Sequence, residues 1–389
     1  MTHAAQPARD PLRLDRIVVR HVRIGLKAPF VTAWSAQLQR DVIIVEAYAP
    51  GGEPVGYGEA PVLSDPVYNE ETVLTAWHVL NDFLVPHLLS GPVDHPANVG
   101  RRLRLFHGHA MAKAGLEGAV WDLWARCAGV PLSQLLGGAA ARIPAGAVVS
   151  VTDDNVALLR QVEARLARGF RRIKLKVHPG RDVDVVRTVR QAFGNIPLAA
   201  DANGAYSLDH LSTLQQLDEF NLQMLEQPLP WDDLLGHARL QAQLRTPVCL
   251  DESVQTVAHA RQAIALGSGR VFNLKAGRLG GLSAAVAVHD LCHVQGLPVW
   301  CGGLLETGIG RAHNLALASL PGFAMPGDLA PPQDYLVEDV IEPPLTLDAE
   351  GYLAVPAGSG IGVAVRRDRL EALTVRLQEH RPADRSRAV

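Results

Sequence analysis

The pattern of hydrophobic and polar positions changes texture once along the chain. From Leu14 to Tyr48 short β-branched runs dominate, Ile17-Val18-Val19 and Val42-Ile43-Ile44-Val45, and they predict strands. Between them Lys27-Ala28-Pro29-Phe30-Val31-Thr32-Ala33-Trp34 reads as a polar-aromatic loop. Pro50-Gly51-Gly52-Glu53 predicts a turn and Val55-Gly56-Tyr57-Gly58-Glu59 a third strand, so this part reads as an antiparallel meander. Apolar positions then recur at helical spacing over residues 71–90 and 110–128, with Gly129 placed to end the second helix. Strands followed by helices make an α+β capping module, residues 13–143.

After Pro144 strand and helix alternate. Pro197-Leu198-Ala199-Ala200, Leu222-Gln223-Met224-Leu225, Pro247-Val248-Cys249-Leu250, Val271-Phe272-Asn273-Leu274 and Leu297-Pro298-Val299-Trp300 are apolar runs without alternation. Such runs belong to parallel strands buried on both faces. Helical patterns fill the gaps at 155–168, 181–193, 208–219, 232–244, 256–266 and 281–295. Residues 144–334 therefore read as a (β/α)8-type barrel. Residues 335–378 return to strand-and-turn texture and are expected to pack back on the cap. Residues 1–12 and 379–389 read as solvated tails.

The polar residues at the strand ends carry the next signal. Lys176, Asp201, Glu226, Asp251, Lys275 and Trp300 follow one another at intervals of 25, 25, 25, 24 and 25 residues. One βα unit per interval, with charge at successive C-terminal strand ends, is the layout of a barrel active site. A doubly wound sheet would hold its ligand at one switch point instead, and the glycine fingerprint of a dinucleotide site is missing after the early strands.

Composition narrows the classes. The chain has 389 residues, 48% of them hydrophobic, enough for a sizeable core. A net charge of −3 with mixed signs gives no nucleic-acid footprint. The four cysteines, Cys127, Cys249, Cys292 and Cys301, lack zinc or disulfide spacing, which points to a reducing cytoplasm. The first ten residues lack the apolar core of a signal peptide, and no apolar run approaches the roughly 18 residues of a membrane span.

Asp201, Glu226 and Asp251 would stand on consecutive strands at one rim. Three carboxylates without His or Cys form a hard oxygen site that suits Mg²⁺ or Mn²⁺ and leaves positions for water and a substrate carboxylate. Lys176 and Lys275 flank this trio, one amine on each side of a bound α-carbon. In the strand Arg171-Arg172-Ile173-Lys174-Leu175-Lys176-Val177, Lys174 and Lys176 share a face, so the Lys174 charge would favour a neutral, basic Lys176. Asn203 and Glu252 stand beside the carboxylates and are expected to hold them. The backbone N–H groups of Cys301-Gly302-Gly303 could bind an amide or carboxylate. Phe30, Trp34 and Tyr68 fall on cap loops, where they could close over an acyl group.

Several motifs together carry a resemblance: Trp121-Asp122-Leu123-Trp124-Ala125, Ile173-Lys174-Leu175-Lys176, Asp201-Ala202-Asn203, Leu225-Glu226-Gln227-Pro228-Leu229, Leu250-Asp251-Glu252-Ser253, Asn273-Leu274-Lys275, the run from Gly302 to Arg311 and Pro326-Gly327-Asp328. The chain resembles the muconate-lactonising branch of the enolase superfamily, and within it the N-acylamino acid (N-succinylamino acid) racemase and o-succinylbenzoate synthase proteins. The resemblance covers nearly the whole chain. It implies a modified barrel with a cap, and Mg²⁺ held by Asp201, Glu226 and Asp251, with Mn²⁺ or Co²⁺ able to substitute. It makes Lys176 and Lys275 the acid/base pair for a small-molecule carboxylate substrate. In a dehydration Lys176 would be the base and Lys275 the cation that stabilises the enediolate. Racemising members tend to carry an arginine at the place of Arg278, which could tune Lys275. Ser150 resembles a substrate-contacting position, and Glu306 falls in the loop after the seventh strand with the same expectation. A homo-oligomer, octamer or dimer, is the family's habit.

Relatives of the same branch stay open as alternatives. A dipeptide epimerase usually has an Asp-x-Asp pair after the eighth strand, whereas Gly327-Asp328-Leu329-Ala330-Pro331 has one aspartate. Muconate cycloisomerase fits Arg278 and Glu306-Thr307-Gly308 less well. A non-catalytic barrel would normally have lost one of the five charged residues, and all five are present.

Overall fold

The computed structural model describes residues 10–31, 36–150, 152 and 154–382. Its N-terminal part is a four-stranded antiparallel sheet in the order Thr374–His380, Arg16–Val31, Ala36–Tyr48, Val55–Ala60. Alternation sends Ile17 and Val19 into the core of the cap helices, while Val18, Val22 and Ile24 join the main core on the opposite face. The helix Ala110–Ala128 lies directly on the strand Val55–Ala60. Glycines permit that approach: a Cβ on Gly56 would come within 2.3 Å of Ala119 O, and one on Gly58 within 2.0 Å of Gly115 O. Gly129 ends this helix in the left-handed conformation, as its position predicts.

Seven parallel strands follow in strict sequential order: Gly146–Val149, Arg172–Lys176, Leu198–Asp201, Leu225–Glu226, Val248–Leu250, Val271–Leu274 and Val299–Cys301. Helices connect them, among them Asn155–Ala167, Val183–Phe193, Leu234–Gln241, Val257–Leu266 and Leu282–Val294. The architecture is a modified (β/α)8 barrel with a capping domain. Inside the ring Ala199, Met224, Cys249, Val271 and Trp300 form a small apolar cluster. Arg172 stacks on Trp300 with its guanidinium carbon 4.3 Å from the ring centroid.

Four details depart from the sequence reading. The eighth barrel position is irregular chain: Phe323 bridges to Val299, Gly327 N donates to Pro144 O at 3.0 Å, Gly327 O accepts from Gly146 N at 2.7 Å, and Asp328 N donates to Cys301 O at 3.0 Å. The run Leu222–Leu225 yields only the two-residue strand Leu225–Glu226, although Gln223 N already donates to Leu198 O at 2.8 Å and Met224 O accepts from Ala200 N at 3.2 Å. The segment read as a loop from Lys27 is strand as far as Val31, with a register slip between Gly25 and Phe30; Thr32, Ala33 and Trp34 lie outside the described residues. Pairing also runs into both supposed tails, since Leu12 bridges to Val93 and the last strand reaches His380. No helix among the described residues is long and apolar enough to cross a membrane.

Candidate active site

Register fixes the rim. Lys176 pairs with Asp201 and Asp201 with Glu226, and Asp251 follows the next strand directly. The three carboxylates are almost completely buried. A buried carboxylate needs a partner, and each finds one in a cation. Lys174 Nζ lies 2.7 Å from Glu226 Oε2, 3.0 Å from Asp201 Oδ2 and 2.6 Å from Asp328 Oδ2. Lys176 Nζ donates to Asp201 Oδ2 at 2.8 Å and to Asn203 Oδ1 at 2.5 Å, and its side chain keeps 35% exposure. On the far side Lys275 Nζ donates to Asp251 Oδ2 at 2.7 Å and to Tyr68 OH at 3.3 Å. Arg278 takes the other oxygen of Asp251, Oδ1, and also donates to Tyr68 OH and to the carbonyls of Val254 and Asn273.

The electrostatics follow from this pairing. Burial alone would raise the Asp201 carboxyl, but Lys174 and Lys176 hold it well below the ordinary range. Burial would lower the Lys174 ammonium, yet Asp201, Asp328 and Glu226 raise it above its usual value. Lys275 behaves alike: burial opposes its charge, and Tyr68 with Glu252, Glu226 and Asp201 outweighs that opposition. Lys174 is therefore no bare cation beside Lys176, as the strand pattern suggests. Three carboxylates surround it, and one of them, Asp328, carries no spacing signal. Glu252 is raised by burial; Asn203 Nδ2 donates to its Oε1 at 2.9 Å.

The residues fit a hard divalent cation by donor chemistry: buried carboxylate oxygens on three adjacent strands, with Glu252 Oε2 and Asn273 Oδ1 buried nearby without a partner. Among the described residues no three acidic, cysteine or histidine side chains converge as a ready-made metal cluster, and lysine and arginine nitrogens contact the three carboxylates.

Two lysine strand ends thus flank three carboxylate strand ends along one rim. Residues 157–369 match the model of the enolase C-terminal domain-like family, and residues 15–137 that of the mandelate racemase / muconate lactonizing enzyme N-terminal domain. The chain belongs to the enolase superfamily. Within the superfamily it is 48% identical to an o-succinylbenzoate synthase of Geobacillus kaustophilus over 363 residues, 93% of this chain and 96% of the relative. It is 43% identical to an N-succinylamino acid racemase of Thermus thermophilus over 364 residues, 94% of this chain and 98% of that one. A solved enolase-superfamily structure from Listeria innocua superposes with a TM-score of 0.92 at 35% identity, covering 95% of this chain and 99% of the other.

The remaining candidates in this superfamily member scatter. Tyr68 reaches the rim from the cap, but its hydroxyl is engaged by Lys275, Arg278 and Asp251. Ser150 is exposed just beyond the first barrel strand. Phe30 pairs through its backbone with Gln37, and its side chain lies outside the described residues. Two expectations, at Gly302 and Glu306, need correction, because the protein itself uses the polar atoms. The Gly302 N–H donates to Leu274 O at 3.1 Å. The Cys301 thiol is buried, pushed up to about 12 by that burial, and turned toward the carbonyls of Gly302 and Asn314. The Glu306 carboxylate is taken by Arg311 at 3.0 Å, Asn314 Nδ2 at 2.8 Å and Leu304 N at 2.8 Å. At Gly302 a Cβ would stand 2.6 Å from Lys275 Cε, and at Gly303 one would stand 2.6 Å from Asp328 O. Gly302 thus allows close packing on the distal lysine, and Gly303 on Asp328 and the Arg311 guanidinium. Asn273, whose Nδ2 donates to Glu226 Oε1 at 2.8 Å, belongs to the site as well; its place two residues before Lys275 on one strand face was the available signal.

Proposed function

We propose that this chain removes the proton α to the carboxylate of an N-acyl amino acid, N-succinyl or N-acetyl, and returns one from the opposite side, racemising it. The observation that carries this reading is the placement of two amines, Lys176 and Lys275, on strands that bracket the three carboxylate strands. Asp201, Glu226 and Asp251 would hold Mg²⁺, the ion that members of the superfamily generally use. Bound there, a divalent cation supplies positive charge against the dianion that forms when an α-proton leaves a carboxylate. Lys176 would take the proton on one face and Lys275 on the other, so that either enantiomer can enter. Lys174 would hold the Asp201 and Glu226 carboxylates beside Lys176, and Asn203 would orient the Lys176 amine. Arg278 and Tyr68 would orient Lys275.

A second reading has its own support in the 48% identity to an o-succinylbenzoate synthase. The same groups serve a dehydration, with Lys176 as the base and Lys275 remaining a cation beside the enediolate.

The test is deuterium uptake. Incubating N-succinyl and N-acetyl amino acids with the protein and Mg²⁺ in D₂O should exchange the α-hydrogen of both enantiomers. No uptake with any acyl amino acid sinks the racemase reading. Turnover of the cyclohexadiene precursor of o-succinylbenzoate in the same preparation would then leave the synthase reading standing.

A further inference from the structure

We propose that Gln227 is a positioning residue that sets the spacing of Asp201, Glu226 and Asp251, and through it the affinity for a divalent cation. The proposal rests on the reading of those three carboxylates as the metal ligands.

Gln227 follows Glu226 directly and is completely buried. Its backbone φ is 38°, in the left-handed region where a side chain is strained and persists only if its surroundings over-determine it. They do. Its N–H donates to Cys249 O at 2.8 Å, and its carbonyl accepts from Gly204 N at 2.7 Å. Its side-chain Oε1 accepts from the backbone N of Asp251 at 3.0 Å and of Ser253 at 3.2 Å. Its Nε2 donates to Ser253 Oγ at 2.7 Å and to Leu229 O at 3.0 Å.

One residue therefore reaches all three carboxylate-bearing strand ends. It is the covalent neighbour of Glu226, it bonds the backbone amide of Asp251 itself, and it holds the turn after Asp201 through Gly204. The turn at Asn203 also has a left-handed backbone, so both neighbouring strand ends are bent at the same level.

His237 backs the amide from behind. Its Nδ1 lies 2.6 Å from Asp233 O, which can only accept, so Nδ1 carries the hydrogen. Its Nε2 then presents a lone pair to Leu229 N at 3.2 Å and faces Gln227 Nε2 at 3.4 Å. The surroundings thus offer donors to one end of the Gln227 side chain and acceptors to the other. Only an amide of this length satisfies both ends. Glutamate would set a carboxylate oxygen against Leu229 O, and methionine would leave the Asp251 and Ser253 amides without their acceptor.

The experiment is calorimetric titration of Mg²⁺ into the full-length protein without substrate, for wild type, Gln227→Met and Ser253→Ala. Loss of a group that orients metal ligands typically weakens metal binding by about 10–100-fold, which is the expectation for Gln227→Met. Ser253→Ala removes one hydrogen bond and leaves the amide in place; one net bond corresponds to about fivefold. That variant also covers the case in which Gln227→Met fails to fold. In assays the concentration of Mg²⁺ for half-maximal rate should rise in parallel, with the maximal rate at saturating Mg²⁺ within about threefold of wild type, a split that general loss of folded protein does not produce. If wild type binds Mg²⁺ and the variants bind within twofold of it, or if excess Mg²⁺ restores nothing, the positioning role is overturned. If wild type itself binds no Mg²⁺, the metal-site reading falls first.

Discussion

Two groups of buried carboxylates stabilise themselves in opposite ways. At the rim Asp201, Glu226, Asp251 and Asp328 face lysine and arginine nitrogens. Where the cap meets the barrel, Glu59 and Glu117 face helix N-termini. Glu59 accepts from the backbone N–H of Thr307 and Gly310 and from the Thr307 hydroxyl, and Glu117 from Ser283 N. Glu71 does the same inside the cap, for Met111 and Ala112. None of these three glutamates forms an ion pair among the described residues. Burial pushes each up to about 7, and the N–H groups offset only part of that rise. The rim pairs its carboxylates with lysine and arginine nitrogens, and at the joint between cap and barrel burial favours the protonated carboxyl. Similar burial thus yields opposite chemistry, decided by the partner.

The largest test applies the same chemical change to both regions. Glu226→Gln should cost about 3–5 kcal/mol in denaturant titrations, because it removes one partner of a buried charge, and it should abolish α-proton exchange. Glu117→Gln mimics the protonated acid and should stay within about 1 kcal/mol at pH 7. Equal costs would erase the distinction.

Ligand linkage comes next. Mg²⁺ at a hundredfold excess over its dissociation constant should add about 2.7 kcal/mol of stability, read as a rise in the melting temperature. Glu226→Gln should lose this response and Glu117→Gln should keep it. Treatment with a chelator should return the wild type to its metal-free melting point.

A smaller effect is pH dependence. A carboxyl at about 7 in the folded chain and near 4.5 unfolded binds its proton more tightly when folded. Its stabilisation is present below the unfolded value and is lost as pH rises through 7. Between pH 5.5 and 8 that amounts to about 2 kcal/mol per group. Glu59→Gln should flatten the fall in melting temperature over this range. A wild-type stability that rises from pH 5.5 to 8, with no change in slope on Glu59→Gln, would contradict the assignment.

The smallest effect concerns the distal lysine. Tyr68→Phe removes the hydroxyl that meets Lys275, Arg278 and Asp251, a loss worth about 1 kcal/mol or fivefold in rate. It should fall mainly on the enantiomer served by Lys275. Which enantiomer that is follows from the far larger losses in Lys176→Ala and Lys275→Ala, each of which should silence exchange of one enantiomer, and opposite ones.

The rim was legible in the sequence because each βα unit spends a similar number of residues, which brings polar strand ends into phase. The joint was not legible. Glu59 serves a helix that begins about 250 residues later, and nothing local to a strand glutamate announces a distant helix end. Asp328 escaped for the same reason: its partners Arg172 and Lys174 lie far upstream, and Met325-Pro326-Gly327 lacks the β-branched run that would mark a strand. Glu306 shows the reverse error, since a glycine-rich rim loop suggested a ligand contact while Arg311 had already claimed the carboxylate.

The irregular segment that closes the ring also fixes an order of events during synthesis. Arg172 is fully buried, and its one ion-pair partner among the described residues is Asp328. The ribosome makes the cation long before the anion. Until residue 328 emerges, the nascent barrel must keep its second strand hydrated or leave a guanidinium uncompensated inside it. A chain cut short before that point would leave the Arg172 guanidinium without the carboxylate it meets in the finished barrel, so low-cost closure of the wall waits on one late aspartate.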